Sequence, residues 1–457
     1  MKLSNKTWDE LEIGQRASLN RTATLEDFYV FANASGNMNP LHLPKHDGDG
    51  DGDPEAIAPA MWVGSLVSSV LGNLLPGPGT VYLGQQLHFH NRVHAGDPLT
   101  ISVEVVEKRD GGEVLLDTCV EIAGGVKVAS GVAEVRAPTK KLVFDDVEAP
   151  HLMLERHKHF DALLERAGGG APMPVAVAAP EKGDALAGPV IAAKAGLIRP
   201  ILVGDPDAIA AAAKAEGLDI SGMEIVPAPH HPEAAEAAVD LVREGRAQAL
   251  MKGHLHTDDL MHAVLRKENG LRAGRRLSHV FVMDVPGREK LLFVTDAAIN
   301  IAPDLATKKD IVQNAIDLAL ALGIEEPKVG LLSAVETVTP SIPSTLDAAI
   351  LSKMADRGQI TGGLVDGPLA MDNAVDLGAA KTKGIAGSVA GRADILVAPN
   401  MEAGNMVAKE LTFLARAEAG GIVVGAACPI ILTSRADDEK ARLASCAVAV
   451  LMARGTK

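Results

Sequence analysis

The sequence predicts an α+β domain followed by an α/β domain with parallel sheets, and three observations carry that reading. Before residue 138, several segments are β-rich and partly alternate apolar with polar residues, the period of a half-buried strand. One long apolar segment ahead of them, residues 61–75, follows helical spacing instead, with Met61, Leu66, Val67, Val70, Leu71 and Leu74 on one stripe. Beyond residue 172, short apolar runs alternate with helical stretches, as strands do when both faces of a parallel sheet are covered.

Taken in order, residues 82–89, 99–108, 114–122 and 126–135 read as an antiparallel meander with GD, DGG and AGG turns between them. A sheet wrapped around one central helix buries the apolar side of both. Residues 139–172 form a charged bridge with an amphipathic helix over 152–166, ended by "GGGAP", the punctuation of a linker. The predicted organisation is therefore a domain over 1–138, a helical linker over 139–172 and a second domain over 173–457. That second domain opens with VAVAA (175–179), a helix from Lys182, PILVG (200–204) and a helix over 207–216. The runs ALMKG, HVFVMDV, KLLFVTDAAI, KVGLLSAV, GGLVDGPLA, ADILVAPN and PIILTSR follow, each ending in a polar or glycine-containing loop. Parallel sheets bind ligands at the carboxyl ends of their strands, so the polar residues after those runs are the ones to inspect.

Composition sets the outer bounds. A chain of 457 residues holds two to four domains at roughly 100–200 residues each. A net charge of −15 and an aromatic content of 3% argue against nucleic acid or an anionic membrane as partner, while leaving anionic substrates in a locally basic cleft open. The start, MKLSNKTWDELEIG, carries no apolar signal core, and no apolar run approaches the ~18 residues of a membrane span, so a cytoplasmic protein is expected. Cys119, Cys428 and Cys446 lie far apart among apolar neighbours and read as reduced thiols, not a disulfide framework or a zinc site. The acidic loop HDGDGDGDPE (46–55) matches the start of a calcium-binding loop at Asp47, Asp49, Asp51 and Gly52. Its twelfth position is Ala58 where a bidentate Glu is needed, and the expectation is a solvated loop with no metal.

The segment DFYVFANASGNMNPLH (27–42) resembles the active-site segment of MaoC-like (R)-specific enoyl-CoA hydratases, which have the hot-dog fold. The resemblance continues through AIAPAMWVGSLVSSVLGNLLPGPGT, LHFHNRVHAGDPLTISVEV and GVKVASGVAEVRAP. It implies that His42 is one member of the pair that handles water and the α-carbon proton. It also implies that amides near Ala60 and Met61, at a helix N-terminus, hold the thioester oxygen. The family's Asp is Asn37 here, and an amide cannot act as a base. The opening domain is thus expected to keep an acyl-CoA pocket with hydratase activity in doubt.

Five ordered segments of the second domain resemble phosphate acetyltransferases and phosphate butyryltransferases: LMKGHLHTDDLMHAVL, VTDAAINIAPD, VDGPLAMDNAV, ADILVAPNMEAGNMVAKEL and PIILTSRADDEKARL. The resemblance implies two parallel-sheet subdomains around a cleft and a reversible reaction, acyl-CoA plus phosphate giving acyl phosphate plus CoA. No bound cofactor is implied; the CoA thioester and phosphate are substrates. By the same resemblance Ser434 donates to the oxyanion or leaving thiolate, and Arg435 grips phosphate through its planar fork. The acetyltransferases' general base falls at Ala441, which leaves Asp437 or Asp438 from another register, and an arginine common in the family falls at His262. Substrate contacts then fall to Lys252, His254, His262, Arg272 or Arg276. The same resemblance offers Asp366, Gly367, Asp372, Asn400, Glu402, Gly404 and Asn405 as cleft-lining residues.

The main expectation is phosphate-dependent acyl transfer with an acetyl or short-chain donor, by a homo-oligomer. The alternatives are a bifunctional enzyme that also hydrates short enoyl-CoA, and an inactive CoA-binding assembly protein.

Overall fold

The computed structural model describes residues 2–44, 48, 55–148, 157–432 and 438–455. The chain forms two compact units, Met1–Leu154 and Glu155–Lys457. The acidic loop of the calcium reading, apart from Gly48 and Glu55, lies outside the described residues.

In the first unit, β1 (Arg16–Thr22), β2 (Val81–Phe89), β3 (Pro98–Arg109), β4 (Glu113–Ile122) and β5 (Val126–Arg136) pair antiparallel in the order β1-β3-β4-β5-β2. Helix α1 (Leu25–Ser35) starts at Thr24, whose hydroxyl accepts from the Asp27 amide at 3.2 Å while the Asp27 carboxylate accepts from the Thr24 amide at 3.1 Å. Gly36, at φ 73°, ends it. Helix α2 (Ala60–Asn73) buries Trp62, Val63, Leu66, Val67, Val70 and Leu71 in one cluster with Ile101, Val103 and Val105 of β3 and Val114, Leu116 and Val120 of β4. A helix wrapped by a five-stranded antiparallel sheet is the hot-dog fold expected for this half.

The expected bridge over 139–172 divides between the units. The Asn5 side chain donates to the Lys140 carbonyl at 2.8 Å and accepts from the Leu142 amide at 2.9 Å, which ties that stretch to the first unit. Helix α3 (Lys158–Gly168) instead buries Phe160, Leu163 and Ala167 in the core of the second unit. It begins later than the 152–166 expectation, and residues 149–156 lie outside the described residues. Its start is set by the Asp284 carboxylate, which accepts from the His159 and Phe160 amides at 2.7 and 2.9 Å. No local capping residue signals this, because the cap comes from a distant strand.

Among the described residues the second unit contains one mixed sheet of 11 strands. In chain order these are β6 (Met173–Ala178), β7 (Ile198–Gly204), β8 (Glu224–Pro227), β9 (Ala249–Lys252), β10 (Ser278–Asp284), β11 (Leu292–Thr295), β12 (Lys328–Leu332), β13 (Leu364–Leu369), β14 (Ile395–Val397), β15 (Glu418–Val424) and β16 (Ile430–Ile431). Their spatial order is β8-β7-β6-β9-β16-β15-β10-β11-β14-β12-β13. The two expected parallel layers are the blocks β8-β7-β6-β9-β16 and β11-β14-β12-β13. The centre differs from the expectation that every apolar run is a parallel strand: β16-β15, β15-β10 and β10-β11 all pair antiparallel. Residues 285–291 are too short for a crossover, which takes about a dozen residues, so β10 and β11 close as a hairpin. Three antiparallel steps lie between the blocks, so the strands of one run opposite to those of the other.

Each block has a topological switch point. The chain moves outward from β6 through β7 to β8, then returns to place β9 on the other side of β6. In the second block it passes from β12 to β13 and returns to place β14 on the other side of β12. The loops at those carboxyl ends are where ligands bind in such sheets. The last helix, α7 (Glu439–Gly455), fills the same core as α3 and β6 through Ala444, Cys446, Ala447, Val448 and Val450. Its Ser445 hydroxyl accepts from the Gly421 amide at 3.0 Å and donates to the Ala441 carbonyl at 2.9 Å, which pins its first turns to β15.

Candidate active site

At the switch point of the first block the turn after β9 is packed onto the end of β6. The Gly253 amide donates to the Ala178 carbonyl at 2.9 Å and the His254 amide to the Ala179 carbonyl at 2.7 Å. A Cβ on Gly253 would lie 2.3 Å from the Ala178 carbonyl oxygen, so only glycine fits. Lys252 and His254 therefore project from one tight turn. Glu181, which sequence reading missed, closes the group: its carboxylate meets His231 Nε2 at 3.0 Å, accepts from the Asp205 amide at 3.0 Å, and the His231 and His254 rings meet edge to face at 5.8 Å. His262 is exposed on helix α4 (Thr257–Val264). Arg272 and Arg276 are exposed as well, and Arg272 Nε donates to the Leu265 carbonyl at 2.5 Å.

The second block brings three of its expected residues together on helix α6 (Met401–Phe413). Asn400 caps that helix by accepting from the Ala403 amide at 2.9 Å. A Cβ on Gly404 would lie 2.4 Å from the Asp296 carbonyl oxygen, and Asn405 Nδ2 donates to the Ala297 carbonyl at 3.2 Å. The loop after β11 is itself rigid: the buried Asp296 carboxylate accepts from the amides of Ala298, Ile299 and Asn300 and from the Asn300 side chain. Glu402 is exposed one turn away. Asp366 accepts from the amide of its neighbour Gly367 at 2.8 Å, and a Cβ on Gly367 would lie 2.6 Å from Leu331 Cβ, so β13 and β12 need that glycine. Asp372 is exposed and lies 3.7 Å from Lys383, which also meets Glu336 at 3.0 Å.

Ser434, Arg435 and Asp437 lie outside the described residues. The next residue, Asp438, accepts from the Ala441 amide at 2.9 Å and so caps α7. Asp438 and Ala441 line a cavity of about 220 Å³ together with Asn405 and Ala408 of α6 and Phe281 of β10. Residues far apart in sequence thus share one wall. Beneath it lies His279, buried at 3% exposure and stacked edge to face on Phe281 with ring centroids 4.4 Å apart. Burial pushes its pKa down to about 4, against the opposing pull of Asp296. Neither His279 nor Phe281 was anticipated, since both sit inside an apolar run where a core role is the ordinary reading.

In the first unit His42 is 8% exposed in the short turn Pro40–His42, with Nδ1 2.7 Å from the Ile57 carbonyl. A carbonyl accepts only from N–H, so Nδ1 carries the proton and Nε2 is left as an acceptor. Asn39 caps the turn by accepting from the Leu41 amide, and the exposed Asn37 accepts from the Asn39 amide at 3.3 Å. A cavity of about 250 Å³ is lined by Ile57, Ala58, Ala60 and Val63 at the start of α2 and by Phe89 and His90. Met61, on the first turn of α2, is 61% exposed. Among the described residues no group of three or more His, Cys, Asp or Glu side chains is placed to hold a metal ion. No described helix is long and apolar enough to cross a membrane.

The family described as phosphate acetyl/butaryl transferase matches residues 229–450, and the MaoC like domain matches residues 9–123. The chain is 58% identical over 294 residues to a phosphate acetyltransferase of Rhizobium meliloti, covering 64% of this chain and 93% of that one. It is 46% identical over 296 residues to a phosphate butyryltransferase of Clostridium acetobutylicum, covering 65% and 98% respectively. Among solved structures, a branched-chain phosphotransacylase from Enterococcus faecalis is 32% identical with a TM-score of 0.55, covering 62% of this chain and 99% of that one. The chain therefore belongs to the phosphate acetyl/butyryltransferase family, with a MaoC-like hot-dog domain at its N-terminal end.

Proposed function

We propose that this protein transfers a short acyl group between CoA and inorganic phosphate. One observation in the structure supports this most directly: Asn405 from α6 and Asp438 at the start of α7, both expected cleft or catalytic residues, line one cavity. In the forward direction a phosphate oxygen attacks the thioester carbonyl, a C–O bond forms, the C–S bond breaks, and the CoA thiolate takes a proton. The chain must supply a fixed cation for phosphate, a donor for the oxyanion and a proton acceptor for the reverse reaction. We assign Arg435, Ser434 and Asp438 or Asp437 to these roles, with Lys252 and His254 as anion-binding groups. No resident cofactor is required. CoA thioesters and reduced, buried thiols at Cys428 and Cys446 suit the cytoplasm, where we place the protein.

A second reading concerns the first unit. The Nδ1-protonated His42 and the cavity at the start of α2 fit binding of an acyl-CoA thioester, whereas Asn37 supplies no carboxylate. We assign it acyl-CoA binding with at most slow hydration, and we keep the functional domains at 1–138 and 173–457.

Release of free CoA from acyl-CoA, with and without phosphate, tests the main reading in wild type and Ser434→Ala. Phosphate-dependent release that falls at least ~100-fold in the variant is expected for loss of an oxyanion donor. No phosphate-dependent release from any donor would sink it and leave a CoA-binding assembly protein. Crotonyl-CoA hydration, measured on the same samples, is expected to be orders of magnitude below the acyl transfer, and a comparable rate would establish a bifunctional enzyme.

A further inference from the structure

Glu181 is held by more of the fold than a loop carboxylate needs. Two residues before it, buried Ala179 has φ 51°, in the left-handed region that alanine seldom enters. That conformation is imposed from both sides: the Ala179 amide donates to the Val203 carbonyl at 2.7 Å, and its carbonyl accepts from the His254 amide at 2.7 Å. The Glu181 carboxylate then lies against the end of β7. One oxygen accepts from the Asp205 amide at 3.0 Å, and a Cβ on Gly204 would lie 2.8 Å from that oxygen. The other oxygen meets His231 Nε2 at 3.0 Å. A carboxylate only accepts, so this ring nitrogen carries a hydrogen. His231 opens the helix His231–Arg243, and its ring meets His254 edge to face, with planes at 80°. The segments after β6, β7, β8 and β9, the four carboxyl ends at this switch point, are thus joined through one glutamate.

We propose that Glu181 is a positioning residue for acyl transfer: it fixes the ring of His231, and His231 fixes the ring of His254. The inference rests on the acyl-transfer reading above, in which His254 binds an anion beside Lys252. The tight turn at Gly253 sets the His254 backbone but leaves two side-chain torsions to be chosen. An edge-to-face neighbour narrows that choice only when the neighbour is itself held, and Glu181 holds it. The Glu181 side chain is 14% exposed against 35% for His231, so the glutamate acts through the histidine and not on a substrate. Its contact with Asp205 is a separate matter of local structure, since Asp205 caps the helix Pro206–Glu216 by accepting from the Asp207 amide at 2.9 Å.

A double-mutant cycle tests this on the full chain, read in phosphate-dependent CoA release and in calorimetric binding of CoA. Glu181→Ala removes the support, and His231→Phe keeps a ring while losing the hydrogen bond. Each is expected to lower kcat/KM about 10- to 100-fold, the scale of a group misplaced by about 1 Å. The loss is expected in KM for acyl-CoA or phosphate with kcat nearly unchanged, as when uniform binding is removed. The pair is expected to lose no more than the larger single change, within about 2-fold, because both remove one support. Losses that multiply would assign Glu181 to the Asp205 turn alone and overturn the inference, as would single variants with wild-type KM. Gly204→Ala keeps the carboxylate but displaces it with a methyl group, and is expected to match Glu181→Ala. Because His231 is partly exposed, His231→Phe decides the matter if Glu181→Ala does not fold. If no donor is turned over, the acyl-transfer reading fails and CoA binding carries the cycle. Affinity lowered in both single variants and no further in the pair supports the inference, and affinity unchanged throughout refutes it.

Discussion

His279 shows how one buried side chain couples stability to pH. Its ring lies in the second unit's sheet at 3% exposure, and burial holds its pKa near 4, below the ordinary value near 6.5. Asp296 is the acidic group opposing this, and Phe281 is the apolar one packed on it. An imidazole with a depressed native pKa binds more protons in the unfolded chain. Its contribution is therefore present above about pH 6.5 and is lost as pH falls towards about 4. Between pH 7 and pH 5 this group alone is expected to remove about 2 kcal/mol of stability. Urea unfolding of His279→Gln at the two pH values checks it: the variant should lose that much less than wild type, and an identical pH slope would assign the effect elsewhere. Two cysteines give a related reading, since burial pushes the Cys428 and Cys446 thiols up to about 12, far from a reactive thiolate at neutral pH.

At the scale of elements, the placement of α6 depends on Gly404. The contact it permits is with the backbone of a loop whose Asp296 carboxylate already accepts four hydrogen bonds, so that side cannot yield. Gly404→Ala must displace α6, and with it Asn405 and Ala408 in the cavity wall. A loss of about 1–3 kcal/mol, the usual cost of overpacking, is expected from urea unfolding, together with a fall in acyl-transfer kcat/KM of at least 10-fold. Stability equal to wild type would show that the helix has room to move.

Across the whole molecule, the exposed apolar groups of β2 point to self-association. β2 is an edge strand of the first unit's sheet, and Val81, Leu83 and Phe89 are 53, 41 and 43% exposed. An unpaired edge with apolar groups along it is a template for another strand, and monomers normally blunt such edges with charge. Light scattering of the full chain is expected to show a dimer or a larger multiple. Leu83→Glu should shift it to smaller species while leaving phosphate-dependent acyl transfer in place, and a wild-type monomer at micromolar concentration would contradict this.

The sequence by itself determined the two fold classes, because their signals are local. Alternation at period two marks β3 and β4, helical spacing marks α2, and wholly apolar runs mark β6, β7 and β12. It also determined the family through short ordered motifs, among whose residues are Asn400 and Gly404. Only the tertiary structure decided what depends on distant partners. The antiparallel centre of the large sheet follows from which strands meet β10, and EAGGIVV has too little side-chain volume to announce itself as β15. Helix α3 takes its cap from Asp284 across 124 residues of chain. Above all, the cavity shared by Phe281, Asn405 and Ala441 exists only once three elements converge. Burial, stacking and empty volume are properties of that convergence, and no local pattern of residue types encodes them.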